Sequence, residues 1–130
     1  MNAEMMKLRT KKFAIATAKF CECLPPRFSM LAYSRQLIRS SSSVGANYRA
    51  ACRAKSLADF INKLKIVEEE ADESIYFLEL IDELDSSQKT NLTSLIKEGN
   101  ELLSIIVASI NTSKRRTFAG AKIYNRQSKI

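Results

Sequence analysis

Only five residues in this chain, Pro25, Pro26, Gly45, Gly99 and Gly120, supply the backbone freedom or the break from which turns are made. Spread over 130 residues, they leave uninterrupted stretches too long for a fold of short strands and tight turns. The length suits one domain with a real core. An all-α chain of a few long helices is therefore expected.

Charge divides the chain more sharply than punctuation does. Every ionised side chain between Pro25 and Lys55 is cationic, whereas from Ser56 to Asp85 ten carboxylates face only Lys63 and Lys65. The switch lies at Ser56-Leu57-Ala58-Asp59, a helix N-cap with an acid three residues later. Two long helices of opposite charge are thus predicted on either side of a very short turn. The formal net charge of +7 hides this segregation, with +6 over residues 25–55 against −8 over 56–85 and +6 over 113–130. Strong local fields of both signs follow.

Helical spacing predicts an antiparallel up-and-down four-helix bundle over residues 1–112, with helices at about 4–23, 28–53, 57–84 and 88–110. The first carries Met6, Phe13, Ala16, Phe20 and Leu24 and stops at Pro25-Pro26; Ser29 is expected to help start the second. That helix has a slim stripe of Tyr33, Leu37, Ser40, Val44, Tyr48 and Ala51. The third has an inner stripe of Leu57, Phe60, Leu64, Val67, Ala71, Ile75 and Leu78. It also carries a second apolar row, Ile66, Phe77, Leu80 and Leu84. One helix of a four-helix monomer buries one face, so this row predicts a homo-oligomer interface. The fourth helix presents Leu92, Leu95, Ile96, Leu102, Leu103, Ile106, Val107 and Ile110. After Asn111 the apolar period ends, and residues 113–130 read as a flexible basic tail with Lys114, Arg115, Arg116, Lys122 and Arg126, and with Phe118 and Tyr124 between them.

No apolar run approaches the roughly 18 residues of a membrane span, and no signal-peptide core opens the chain. A cytoplasmic protein with no membrane association is expected, with Cys21, Cys23 and Cys52 as reduced thiols. No histidine is present. That removes the usual general base, the Ser-His and Cys-His nucleophile pairs, and the Glu-x-x-His ligands of di-iron bundles. No catalytic residue, metal site or cofactor is therefore expected, and no enzymatic activity.

Two polar constellations remain. Gln36, Arg39, Ser43 and Asn47 form one narrow row on the second helix, and Glu69 and Glu73 stand one turn apart on the third. A structural polar clamp between helices or subunits and a binding or catalytic pocket are both open, the clamp being the plainer reading. On the far side of the second helix, Arg35, Arg49 and Arg53 share an arc about 27 Å long, with Lys55 just beyond. Such a row, with the tail cations, suits contacts to the phosphates of RNA or DNA. The alternative is pairing with the acidic third helix of the same or a neighbouring subunit, which makes the protein a scaffold for protein partners.

Gln36-Leu37-Ile38-Arg39-Ser40, Ser43-Val44-Gly45-Ala46-Asn47 and Arg53-Ala54-Lys55-Ser56-Leu57-Ala58-Asp59-Phe60, with Glu73 downstream, resemble the bacterial four-helix bundle proteins related to those encoded in intervening sequences of large-subunit ribosomal RNA genes. The resemblance spans residues 10 to 110 or so. It implies an up-and-down bundle, often a homopentamer, without known catalytic activity. A similar bundle serves diversity-generating retroelements, where it binds nucleic acid and the reverse transcriptase. The expectation is a non-enzymatic, self-associating bundle with RNA or other nucleic-acid association, ribosome-related.

Overall fold

A computed structural model describes residues 2–128 of the chain, with side chains described from residue 2 to residue 117. Four helices follow one another: α1 (Ala3–Glu22), α2 (Phe28–Ala51), α3 (Leu57–Leu84) and α4 (Lys89–Ser128). Consecutive helices pack together and α4 closes on α1, while among the described residues the backbones of the diagonal pairs stay apart. This is the square arrangement of an up-and-down bundle.

The helix boundaries have local causes. The Asn2 side chain accepts the Met5 N–H at 2.8 Å and caps α1. Pro25 and Pro26 end it, because proline lacks the N–H a helix needs and pushes the preceding Leu24 out of helical geometry. Arg27 occupies the cap position of α2 without a side-chain cap, so Ser29 does not fill the starting role expected of it. α2 stops at Ala51, two residues early, where Cys52 and Arg53 turn back on the carbonyls of Tyr48 and Ala50 at 3.0 and 3.1 Å. The charge switch behaves as the sequence predicts. Ser56 Oγ accepts the Asp59 N–H at 3.0 Å while Asp59 Oδ2 accepts the Lys55 N–H at 3.2 Å.

The largest departure is at the far end. α4 does not stop near 110 but continues to Ser128, through the segment expected as a flexible tail. Loss of the apolar stripe removes the reason for burial, not the preference for helix. Lys114, Arg115, Arg116 and Ala119 are all good helix formers, and Ser113 is still buried.

The buried stripe of α1 also differs from the expected one. Ala16 lies exposed, and the face runs through Met6, Thr10, Phe13, Thr17 and Phe20. The spacing of three and four is kept by two threonines that read as polar in sequence. Thr10 Oγ1 donates to the Met6 carbonyl at 2.8 Å. Leu64, Val67, Ala71, Ile75 and Leu78 of α3 are buried as expected, joined by Ile61, Ser74 and Ile81, while Leu57 is exposed and Phe60 half-buried. Two glycines mark close helix approaches: a methyl on Gly45 would stand 3.2 Å from Thr10 Oγ1, and one on Gly99 would stand 3.1 Å from Ile75 Cγ1. Among the described residues no helix is long and apolar enough to cross a membrane.

Candidate nucleic-acid interface

α2 presents two unlike faces. Toward α3, the expected clamp assembles with one change of partner. Arg39 Nη2 donates to Glu73, its Nη1 to Glu70 Oε2 at 3.3 Å, and its Nε to Gln36 Oε1 at 3.4 Å. Ser43 Oγ donates to the Arg39 carbonyl and Asn47 Nδ2 to the Ser43 carbonyl, each at 2.9 Å, which ties that row to its own helix. Glu69 is not in the clamp; it is exposed beside Lys65, Glu68 and Asp72 on the α4 side of α3. One residue is a turn of about 100°, and that is enough to move a carboxylate from one groove to the next. Beneath the clamp lies a contact that the sequence reading missed: Ser74 Oγ donates to Ser40 Oγ at 2.9 Å, both residues fully buried.

On its other side α2 keeps its cations unspent. Arg35, Arg49 and Arg53 are exposed, as is Lys55, and none has an ion-pair partner among the described residues. Among the described residues Arg39 is the one α2 cation paired with α3, and just before α2 Arg27 reaches Asp85, just past the end of α3, at 3.0 Å. Lys114, Arg115 and Arg116 are exposed on α4, with Arg115 Nη2 donating to Thr112 Oγ1 at 3.2 Å. Lys122 and Arg126 lie on the helical backbone, but their side chains, like those of Phe118 and Tyr124, fall outside the described residues.

Two cations outside α2, Arg9 and Lys63, are tied down by carboxylates. Arg9 bridges α1 to α4 by donating to Glu98, with Nε–Oε2 at 2.8 Å, and to Glu101. The Glu98 hydrogen bond, helped by Glu101, raises its pKa further above the ordinary arginine value. The hydrogen bond from Lys63, then that from the Lys55 amide, holds Asp59 below the usual carboxylate range. Burial pushes the Tyr48 hydroxyl up to about 12, with Cys52 beside it, and pushes the buried Cys21 thiol up.

The row expected as an interface is partly open. Ile66 is 42% and Leu84 50% exposed, whereas Phe77 and Leu80 are half-buried, Phe77 packing on Tyr33 with ring centroids 6.1 Å apart. Exposed apolar side chains also occur where the sequence reading did not place them, at Leu8 and Ile15 of α1 and at Phe28, Leu31 and Ile38 of α2.

A family model described as 23S rRNA-intervening sequence protein matches residues 5–108. A solved crystal structure is also similar, that of a protein of unknown function from the S23 ribosomal protein family of Bacteroides thetaiotaomicron. It is 32% identical, covers 85% of this chain and 99% of its own, and superposes with a TM-score of 0.77. No curated protein matches the chain.

Proposed function

The chain belongs to the 23S rRNA-intervening sequence protein family, and from that premise we propose that it is a non-enzymatic, self-associating bundle that binds RNA or another nucleic acid through its unpaired cations. The observation that supports this reading is the asymmetry of α2. Arg39 is consumed by Glu70 and Glu73, while Arg35, Arg49, Arg53 and Lys55 keep exposed charges without acid partners among the described residues. Uncompensated guanidinium groups along a rigid helix suit a phosphate backbone, whose condensed counterions they release. Lys114, Arg115 and Arg116 extend the cationic surface beyond residue 108, where the family match ends.

Self-association draws support from Ile66, Tyr76 and Leu84, which stand exposed on α3, and a ring of five is the number the family resemblance suggests. RNA of a bacterial cell is cytoplasmic, and this reading puts the protein there. Sedimentation of the purified protein with and without 23S ribosomal RNA, at low and high salt, tests both parts. The expected result is an oligomer that co-sediments with RNA at low salt and is released as salt rises. Equal retention at both salts, or none at low salt, removes the nucleic-acid reading.

A second reading is favoured by the exposed apolar side chains of α1, α2 and α3: an interaction scaffold in which the basic and acidic helices pair between subunits. The double variant Arg49→Glu/Arg53→Glu separates the two. Loss of the oligomer with RNA retention unchanged favours the scaffold; loss of RNA retention with the oligomer intact favours nucleic-acid binding.

A further inference from the structure

We propose that the cleft between α1 and α2 is a seat for a phosphate-bearing ligand of nucleotide size, with Lys7, Lys11, Arg49 and Ser42 as its polar contacts. This rests on the nucleic-acid reading above and gives it a place on the molecule that the row of arginines alone does not define.

The cleft holds about 560 Å³ and is lined by both helices. Its shape follows from Gly45, where α1 and α2 approach so closely that a methyl would meet Thr10 Oγ1 at 3.2 Å. Ala14, Ser42 and Ala46 line the cleft together with that glycine, and side chains this small leave room for an anion to approach the helices. Its walls are cationic. Lys7, Lys11 and Arg49 face one carboxylate, Glu4, and Glu4 is bound to Lys7 at 3.0 Å. Lys11 and Arg49 are exposed and have no ion-pair partner among the described residues. The cleft thus keeps a positive field that an anion would neutralise.

The serine run supplies an independent sign. Ser40, Ser41 and Ser43 donate their hydroxyls back to the carbonyls of Leu37, Ile38 and Arg39. Ser42, which lines the cleft, makes no such bond among the described residues. Its hydroxyl is left available for a phosphate oxygen. Two other clefts carry more acid. One between α1 and α4 contains Glu98 and Glu101, which already hold Arg9, and one between α3 and α4 is lined by Glu68, Glu69 and Asp72 against Lys65. Leu8, Ala14 and Ala46 give the α1–α2 cleft an apolar share suited to a sugar or base.

A phosphate of this kind comes from a nucleotide unit within an RNA strand or from a free nucleotide, and the test distinguishes them. Binding of a short oligouridylate and of ADP is measured across a salt series for the full-length protein, for Lys11→Gln/Arg49→Gln, and for Arg115→Gln/Arg116→Gln on α4. Circular dichroism confirms that each folds. The cleft variant is expected to bind oligouridylate roughly tenfold more weakly at low salt, and to lower the slope of log affinity against log salt by about 1.4, the share of two single-strand phosphate contacts. ADP binding that is lost in the cleft variant, without any binding of oligouridylate, keeps the cleft, makes a free nucleotide its ligand, and overturns the nucleic-acid reading. Oligouridylate binding that survives Lys11→Gln/Arg49→Gln unchanged, or falls equally at every salt, overturns the cleft and leaves the nucleic-acid reading standing. Failure of the full-length protein to bind either probe at low salt overturns both.

Discussion

The two seams that α2 makes with its neighbours are built on opposite plans. Against α3 it is closed: Arg39 meets Glu70 and Glu73, Ser40 meets Ser74, and Leu37, Val44, Leu64, Val67 and Leu78 are sealed beneath. Against α1 it is pinched at Gly45 and then opens into a cleft whose cations outnumber its one acid. The same residue type therefore does different work on the two sides. Arg39 has its charge met by two carboxylates of the neighbouring helix, while Arg49 leaves its charge to the solvent.

The contrast breaks first in the core. Leu78→Ala, at a fully buried position of α3, should cost about 2–5 kcal/mol, the lost transfer free energy plus the cavity left behind. Leu8→Ala, on the open side of α1 and 53% exposed, should stay within about 0.5 kcal/mol. Urea unfolding followed by circular dichroism reads both. Comparable losses would mean that the α1–α2 side is covered in solution, as the scaffold reading requires.

The glycine sharpens it next. Alanine normally stabilises a helix interior over glycine by about 0.5–1 kcal/mol, yet the methyl of Gly45→Ala would press on Thr10, whose hydroxyl is anchored to the Met6 and Lys7 carbonyls. Gly45→Ala should therefore destabilise the wild type. In a Thr10→Ala background the same change should stabilise, a coupling on the order of 1 kcal/mol in a double-mutant cycle. An additive pair would mean that the helices do not approach as closely there. Arg39→Gln follows, with a loss of about 1 kcal/mol or less, because the pair is half-exposed and screened. Arg49→Gln should shift the unfolding midpoint hardly at all.

How far the sequence reveals these two seams depends on what each is made of. The closed one is legible. The Ser56 cap, the reversal of charge and the three-four spacing of apolar residues locate α3 at Leu57–Leu84, and the Arg39–Glu73 pair joins two consecutive helices across one short turn. Sequence alone does not separate Glu70 from Glu69, because a single step around a helix decides which groove a carboxylate enters. The open seam is nearly invisible. Lys7 and Lys11 read as ordinary solvated cations until α1 is laid against the C-terminal half of α2, and Thr10 and Thr17 enter the core although their residue type argues against it. The end of α4 at Ser128 is hidden for a related reason: the apolar period marks burial, and a helix outlasts burial when its residues favour helix.

The smallest effect concerns the turn where the two charge blocks meet. Asp59 accepts from Lys63 Nζ at 2.7 Å and from the Lys55 amide at 3.2 Å, and these bonds hold its folded-state pKa below the ordinary value. A carboxylate with a lowered pKa in the folded chain stabilises fully above the ordinary aspartate value of about 3.9. That contribution is lost as pH falls through the lower folded value, since protonation then favours the unfolded chain. In urea unfolding across an acid series, Asp59→Asn should flatten the decline of stability at low pH, and it should leave the neutral range reduced by the weakened cap alone. Lys11→Gln, on the open seam, should leave the acid branch unchanged. An Asp59→Asn protein whose acid branch keeps the wild-type slope would show that the carboxylate is solvated in the folded state, and that the turn between the two charge blocks rests on the Ser56 hydroxyl.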